Sequence, residues 1–91
     1  MPRTLPRPAW LDPSRVARRL DARPLLARGG HPLQQVMEEL SALRPGELYE
    51  LVTPFVPGPL VERAAATGFL GHAEEAGPGV VHTFFTRGGA A

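Results

Sequence analysis

The sequence predicts an α+β two-layer sandwich, in the order β-α-β-α-β-β, with two helices on one face of a four-stranded mixed sheet. Three observations predict it. Two stretches carry apolar residues three and four apart, and each starts at a proline and stops at a glycine or a Pro-Gly pair. Stretches of alternating apolar and polar residues precede and separate them. Two further alternating stretches close the domain, joined by Ala76-Gly77-Pro78-Gly79, a hairpin signal.

Residues 1–14 form an extension rich in proline and arginine, extended in character. Trp10 and Leu11 are its large apolar neighbours, and they either fold back onto the domain or share the disorder usual at a terminus. The domain spans residues 15–87. In "RVARRLDAR", Val16, Arg18 and Leu20 alternate with Ala17, Arg19 and Asp21, as a strand requires. Pro24 ends the strand because it cannot donate to a sheet ladder, and a loop follows to Gly30.

"HPLQQVMEELSALRPG" reads as a helix. Pro32 suits the first helical position, where its missing N–H costs nothing. Leu33, Val36, Met37, Leu40 and Leu43 form one apolar stripe. Glu38 and Glu39 fall on the other side, as solvated carboxylates. The residue before Pro45 disfavours helical dihedrals, so Arg44-Pro45-Gly46 closes the element. "ELYELVT" is apolar on both faces and reads as an inner strand. "PFVPGP" is a rigid connector, and a short helix runs from Pro59 to its stop at Gly68. Residues 69–75 and 80–87 are strands, with Phe69, Phe84, Phe85 and Tyr49 as core aromatics. Residues 88–91 are a flexible tail.

Composition excludes several functions. The chain has 91 residues, enough for one domain, and its core is near the lower limit for independent stability. The uncovered sheet face is therefore a natural place for a homodimer contact. Ten basic residues, all arginine, balance nine acidic ones. Arg15, Arg18, Arg19, Arg23 and Arg28 read as solvated flanks, so no nucleic-acid partner is implied. The absence of cysteine removes disulfides, thiolate metal sites, persulfides and cysteine nucleophiles. The leader has no apolar run, which argues against a signal peptide or membrane span and for the cytoplasm. Enrichment in Ala, Arg, Gly, Leu and Pro suggests a bacterial genome rich in G and C. No Ser-His-Asp spacing, phosphate-cradling glycine motif or nucleotide fingerprint is present, so an enzyme is not indicated.

Three histidines remain as candidates. His31 stands where a helix starts, and helix grammar does not demand it there. It is either a structural group, capping the helix or bonding a loop carbonyl, or a ligand group, and a neutral imidazole is what a metal or a general base requires. His72 and His82 sit on the two arms of the hairpin. A two-residue Gly77-Pro78 turn places them on opposite faces, with His82 paired to Ala73; an odd-numbered loop places them directly across. In the second case Glu74 stands near as a third ligand. A transition metal needs three or four converging ligands.

The stretch "RLDARPL" leading to "HPLQQVMEELSALRPGELYELV" resembles the TusA/SirA superfamily of sulfur carriers over about residues 16 to 87. Leu20, Asp21, Arg23, Pro32, Pro45, Gly46 and Glu47 carry the resemblance. It is closer still to a cysteine-free branch of uncharacterised bacterial domains with His-Pro-Leu in place of Cys-Pro. His31, Pro32 and Leu33 fit that branch, as does Pro59-Leu60. The resemblance implies the same sandwich and a polar group held at the positive end of a helix. Persulfide carriage does not transfer, since no cysteine is present.

The function implied is a small non-enzymatic module in redox or sulfur-related metabolism. It would dock onto a partner protein through His31, Pro32, Arg23, Arg28 and Asp21. The alternative is a domain binding a metal or small ligand at His31, with His72 and His82 as further metal ligands.

Overall fold

The computed structural model describes residues 6–88. Its strands are β1 (Val16–Asp21), β2 (Leu48–Thr53), β3 (Phe69–Gly77) and β4 (Val80–Arg87). Its helices are α1 (Arg23–Ala27), α2 (Leu33–Ser41) and α3 (Gly58–Ala66). The sheet order is β1-β2-β4-β3, with β1 parallel to β2 and β4 antiparallel to both its neighbours. The mixed four-stranded sheet of the α+β class is therefore present.

One helix stands where the sequence reads as a loop. Asp21 Oδ1 accepts the backbone N–H of Arg23 at 3.1 Å, and Leu26 N donates to Ala22 O at 2.9 Å. These bonds turn the chain straight from β1 into α1. Pro24 lies in the first turn of that helix, where a missing donor is harmless. It follows the strand without being its terminator.

α2 starts one residue later than the sequence suggests. Pro32 is its N-cap, and its carbonyl accepts Val36 N at 2.8 Å. Gly29 (φ 81°) and Gly30 bring the chain from α1 to that point. A Cβ on Gly30 would press on the Leu25 side chain and stand 3.1 Å from the Leu25 carbonyl, so loop and helix approach closely there.

The sheet buries both faces by different means. Tyr49, Leu51 and Phe85 project towards the helices and pack with Val36, Leu40, Leu60 and Ala64 in the main core. Each such large apolar side chain removed from water contributes about 1.5–3 kcal/mol. At the end of β4, Arg87 lies 5.3 Å over the Phe69 ring and donates to the carbonyls of Leu43 (2.6 Å) and Ser41 (2.9 Å). It thereby satisfies acceptors left free at the C-terminal end of α2.

On the other face a second, smaller cluster joins Leu48 and Phe84 to Leu11, with Trp10 and Val16 against it. The described part of the N-terminal extension thus folds back as a strap across the sheet. Arg7 anchors it, Nε and Nη2 donating to the two oxygens of Glu74 at 2.7 and 3.0 Å. Asp12 then caps a single 3-10 turn, Pro13–Arg15, that leads into β1. Residues 1–5 and 89–91, part of the expected extension and tail, lie outside the described residues.

β1 departs from simple alternation. Val16 pairs with Leu48 but Arg18 pairs with Tyr49, so Ala17 is the extra residue of a bulge. Val16 consequently faces the strap while Leu20 faces the helices. Among the described residues no helix is long and apolar enough to cross a membrane.

Candidate functional site

His31 is exposed at the mouth of a cleft of about 310 Å³. The cleft lies where the loop into α2, the end of β2 and the start of α3 meet. Leu26 of α1, Pro32 and Leu60 of α3 supply apolar walls, and Thr53 lies at its edge. Thr53 is buried, and its hydroxyl donates to the carbonyl of Phe55 at 2.5 Å. That bond bends the chain as it leaves β2, and Pro54, Pro57 and Pro59 stiffen the connector and the first turn of α3.

The result is an apolar rim turned to solvent. Phe55 and Val56 are each 54% exposed, and Leu33 across the cleft is 38% exposed. Among the described residues the lining holds one guanidinium, Arg63, one imidazole, His31, and no carboxylate. No side chain caps either α2 or α3, so the first N–H groups of α2 keep no protein partner from a cap. His31 is therefore not the helix cap that the sequence allowed.

Of the five residues expected at a partner surface, His31 and Pro32 line the cleft, and Asp21, Arg23 and Arg28 do not. Asp21 and Arg23 satisfy each other, with guanidinium-to-carboxylate bonds of 2.9 and 2.7 Å. Hydrogen bonds from Arg23 hold the Asp21 carboxyl down at about 2. The pair clamps the β1–α1 corner. Arg28 is exposed at the other end of α1, its N–H closing that helix on Leu25 and Leu26.

The remaining histidines lie on the strap-covered face of the sheet. The hairpin turns at Pro78-Gly79, where φ is 70° at the glycine, as a Pro-Gly type II turn needs. A register shift between Glu75 and Gly77 then sets His82 opposite Glu74 and His72 opposite Phe84. Neither placement expected from the sequence occurs. The two imidazoles share a face, two pairs apart along the ladder, and each has its own carboxylate. His72 Nε2 is 3.2 Å from Glu74 Oε2, and His82 Nδ1 is 2.5 Å from Glu50 Oε2. Arg19 adds a looser contact to Glu50 at 3.7 Å.

His31 lies beside the helices instead. The set His31, His72 and His82 is accordingly not assembled into one metal site. Among the described residues no three His, Cys, Asp or Glu side chains are grouped to hold a metal ion.

Glu39 also differs from its reading as a solvated carboxylate. It accepts the hydroxyl of buried Tyr49 at 2.5 Å and pairs with Arg18 at 3.2 Å. Burial, then the bond to Glu39, raises the Tyr49 phenol well above its ordinary value. This cluster fastens α2 to the sheet.

Sequence alone does not single out Arg63, Phe55 or Thr53. The available signal for Phe55 and Val56 is their place between Pro54 and Pro57, where neither strand nor helix can cover them. Arg63 carries no such signal, being one residue on a helical turn beyond Pro59.

Fold and cleft together define a small α+β module with an apolar, carboxylate-free recess beside a helix-start histidine. Residues 19–87 match the family DUF2249, described as an uncharacterized conserved protein, and the chain belongs to that family. None of the curated proteins and none of the solved structures compared matches it.

Proposed function

We propose that this chain is a small, non-enzymatic, cytoplasmic docking module that receives an apolar segment of a partner protein in the cleft beside His31. The observation that carries the reading is the exposed apolar side chains of Phe55 and Leu33 on a preformed recess, with exposed Val56 next in sequence to Phe55. Contiguous apolar surface of this kind, edged by polar groups, marks protein contact sites. It extends beyond the recess itself, which a small ligand would not require.

The resemblance to the TusA/SirA superfamily supports the same place. There the start of the first long helix is the position presented to partners, and His31-Pro32 stands at it here. A bacterial accessory role in redox or sulfur-related metabolism is the context that resemblance suggests. Catalysis has no support in the lining, which holds one imidazole and no nucleophile or acid to work with it.

The test is site-specific photo-crosslinking in cells of the source organism. A photoreactive residue at Phe55 should yield a discrete adduct that a probe at Leu70, an exposed apolar residue on β3, does not. Val56→Ser should weaken the adduct. Identical adduct patterns from both positions would refute the reading.

A further inference from the structure

We infer that the segment received in the cleft is a chain end, an apolar C-terminal residue whose free carboxylate is read by Arg63. This rests on the docking reading above and specifies its occupant. Size argues first. At about 310 Å³ the recess lies at the small end of ligand-sized cavities, roughly 300–1,000 Å³. It accommodates one or two apolar side chains.

Charge argues second. The lining is apolar but for Thr53, His31 and Arg63, and Thr53 already commits its hydroxyl to Phe55. Among the described residues Arg63 makes no ion pair within 4.0 Å, as is also true of Arg28, Arg44 and Arg87, but of these Arg63 alone lines the recess. Glu38 shares an adjoining depression between α2 and α3 with Arg63 and does not pair with it. An apolar recess with one unpaired guanidinium complements an apolar group ending in a carboxylate, which guanidinium can grip with two parallel bonds. A ligand ending in an amine meets only repulsion there.

Rigidity argues third. Pro32, Pro57 and Pro59 line the recess, and the Thr53–Phe55 bond holds its edge, so little ordering is needed on binding. Capture of a terminal carboxylate is an established mode of peptide recognition. A chain terminus also delivers what a mid-chain segment does not, a carboxylate adjacent to one unencumbered apolar side chain.

The experiment is an NMR titration of the full chain with three probes: N-acetyl-Val-Leu with a free carboxylate, the same dipeptide as its amide, and octanoate. The free dipeptide should shift Leu26, Phe55 and Leu60 saturably. The amide should bind about tenfold more weakly, a loss of about 1.4 kcal/mol for the charge-assisted bond to an exposed guanidinium. Arg63→Gln should erase the difference between acid and amide, and Arg28→Gln should preserve it.

Equal binding of acid and amide would overturn the carboxylate while leaving the docking reading to its crosslink. Octanoate binding more tightly than the dipeptide acid would overturn the chain end as the source. No saturable shift with any probe would overturn the inference outright. Arg63 is exposed, so its variant keeps the fold and the comparison stays readable.

Discussion

The two faces of the one sheet are closed in opposite ways. Towards the helices, Tyr49, Leu51 and Phe85 are wholly buried under α2 and α3, and hydrogen bonds from Tyr49 and Arg87 tie sheet and helix together. On the far side a proline-rich strap rests on Leu48 and Phe84 through Trp10 and Leu11, held by one ion pair. No backbone hydrogen bond joins described strap residues 6–12 to a strand. The first face is built as a core and the second as a cover. Global stability should therefore reside on the helix side, and the strap should open separately.

The largest test of that division compares two adjacent phenylalanines. Phe85→Ala should cost about 3–5 kcal/mol, since its cavity is enclosed on all sides. Phe84→Ala should stay at or below about 3 kcal/mol because the strap can settle into the space left. Urea unfolding of both variants measures the gap, and equal losses would break the comparison.

A smaller effect is confined to the strap. The hydrogen bond from Arg7, with that guanidinium's charge and then the bond from His72, together outweigh burial and lower the Glu74 pKa. A lowered carboxylate pKa makes a contribution that is fully present above the ordinary value, about 4.3, and is lost as pH falls through the folded one. His72 on β3, His82 opposite and Arg7 are the charged or titratable groups facing Glu74. Trp10 is the chain's one tryptophan, so its emission reports the strap directly. Acidification below about pH 4 should shift that emission to the red before the amide circular dichroism changes. Glu74→Gln should show the shifted emission already at neutral pH, and a single concerted transition in the native chain would contradict a separable strap.

The smallest effect lies at the β1–α1 corner. The Asp21–Arg23 pair is well formed but about two-fifths exposed, with side chains at 41% and 42%. After solvent screening Asp21→Asn should cost no more than about 1 kcal/mol. Its contribution is present above the ordinary aspartate value, about 3.9, and fades as pH falls through about 2. Thermal unfolding of D21N against the native chain at pH 7 and pH 2.5 checks both the size and the sign.

Much of the fold is legible in the sequence because its signals are local. The stripe from Leu33 to Leu43 and the alternation of "ELYELVT" each encode an element within ten or so residues. The helix α1 is not legible, since five residues beginning Arg-Pro are too short for any periodicity to show. The bulge at Ala17 is also hidden, because an even alternation in sequence gives no sign that a partner strand skips a residue. Glu39 is misread for a related reason: its partner Tyr49 is ten residues away on another element. His31 stands out by its odd place in helix grammar, whereas Arg63 gains its position only when α3 packs beside α2.

The strand order also bears on how the chain comes to be folded. β4, the last strand in sequence, occupies the interior of the sheet between β2 and β3. As a ribosome releases the chain, the residues before Val80 can form helices and the β1–β2 pair, yet β2 keeps one edge unpaired until β4 arrives. β4 pairs with β3 across a tight hairpin, but its pairing with β2 joins distant parts of the sequence, which slows folding and extends the time an edge stays open. The strength of this domain is thus assembled late, and a nascent chain paused before Val80 is the form most in need of a chaperone.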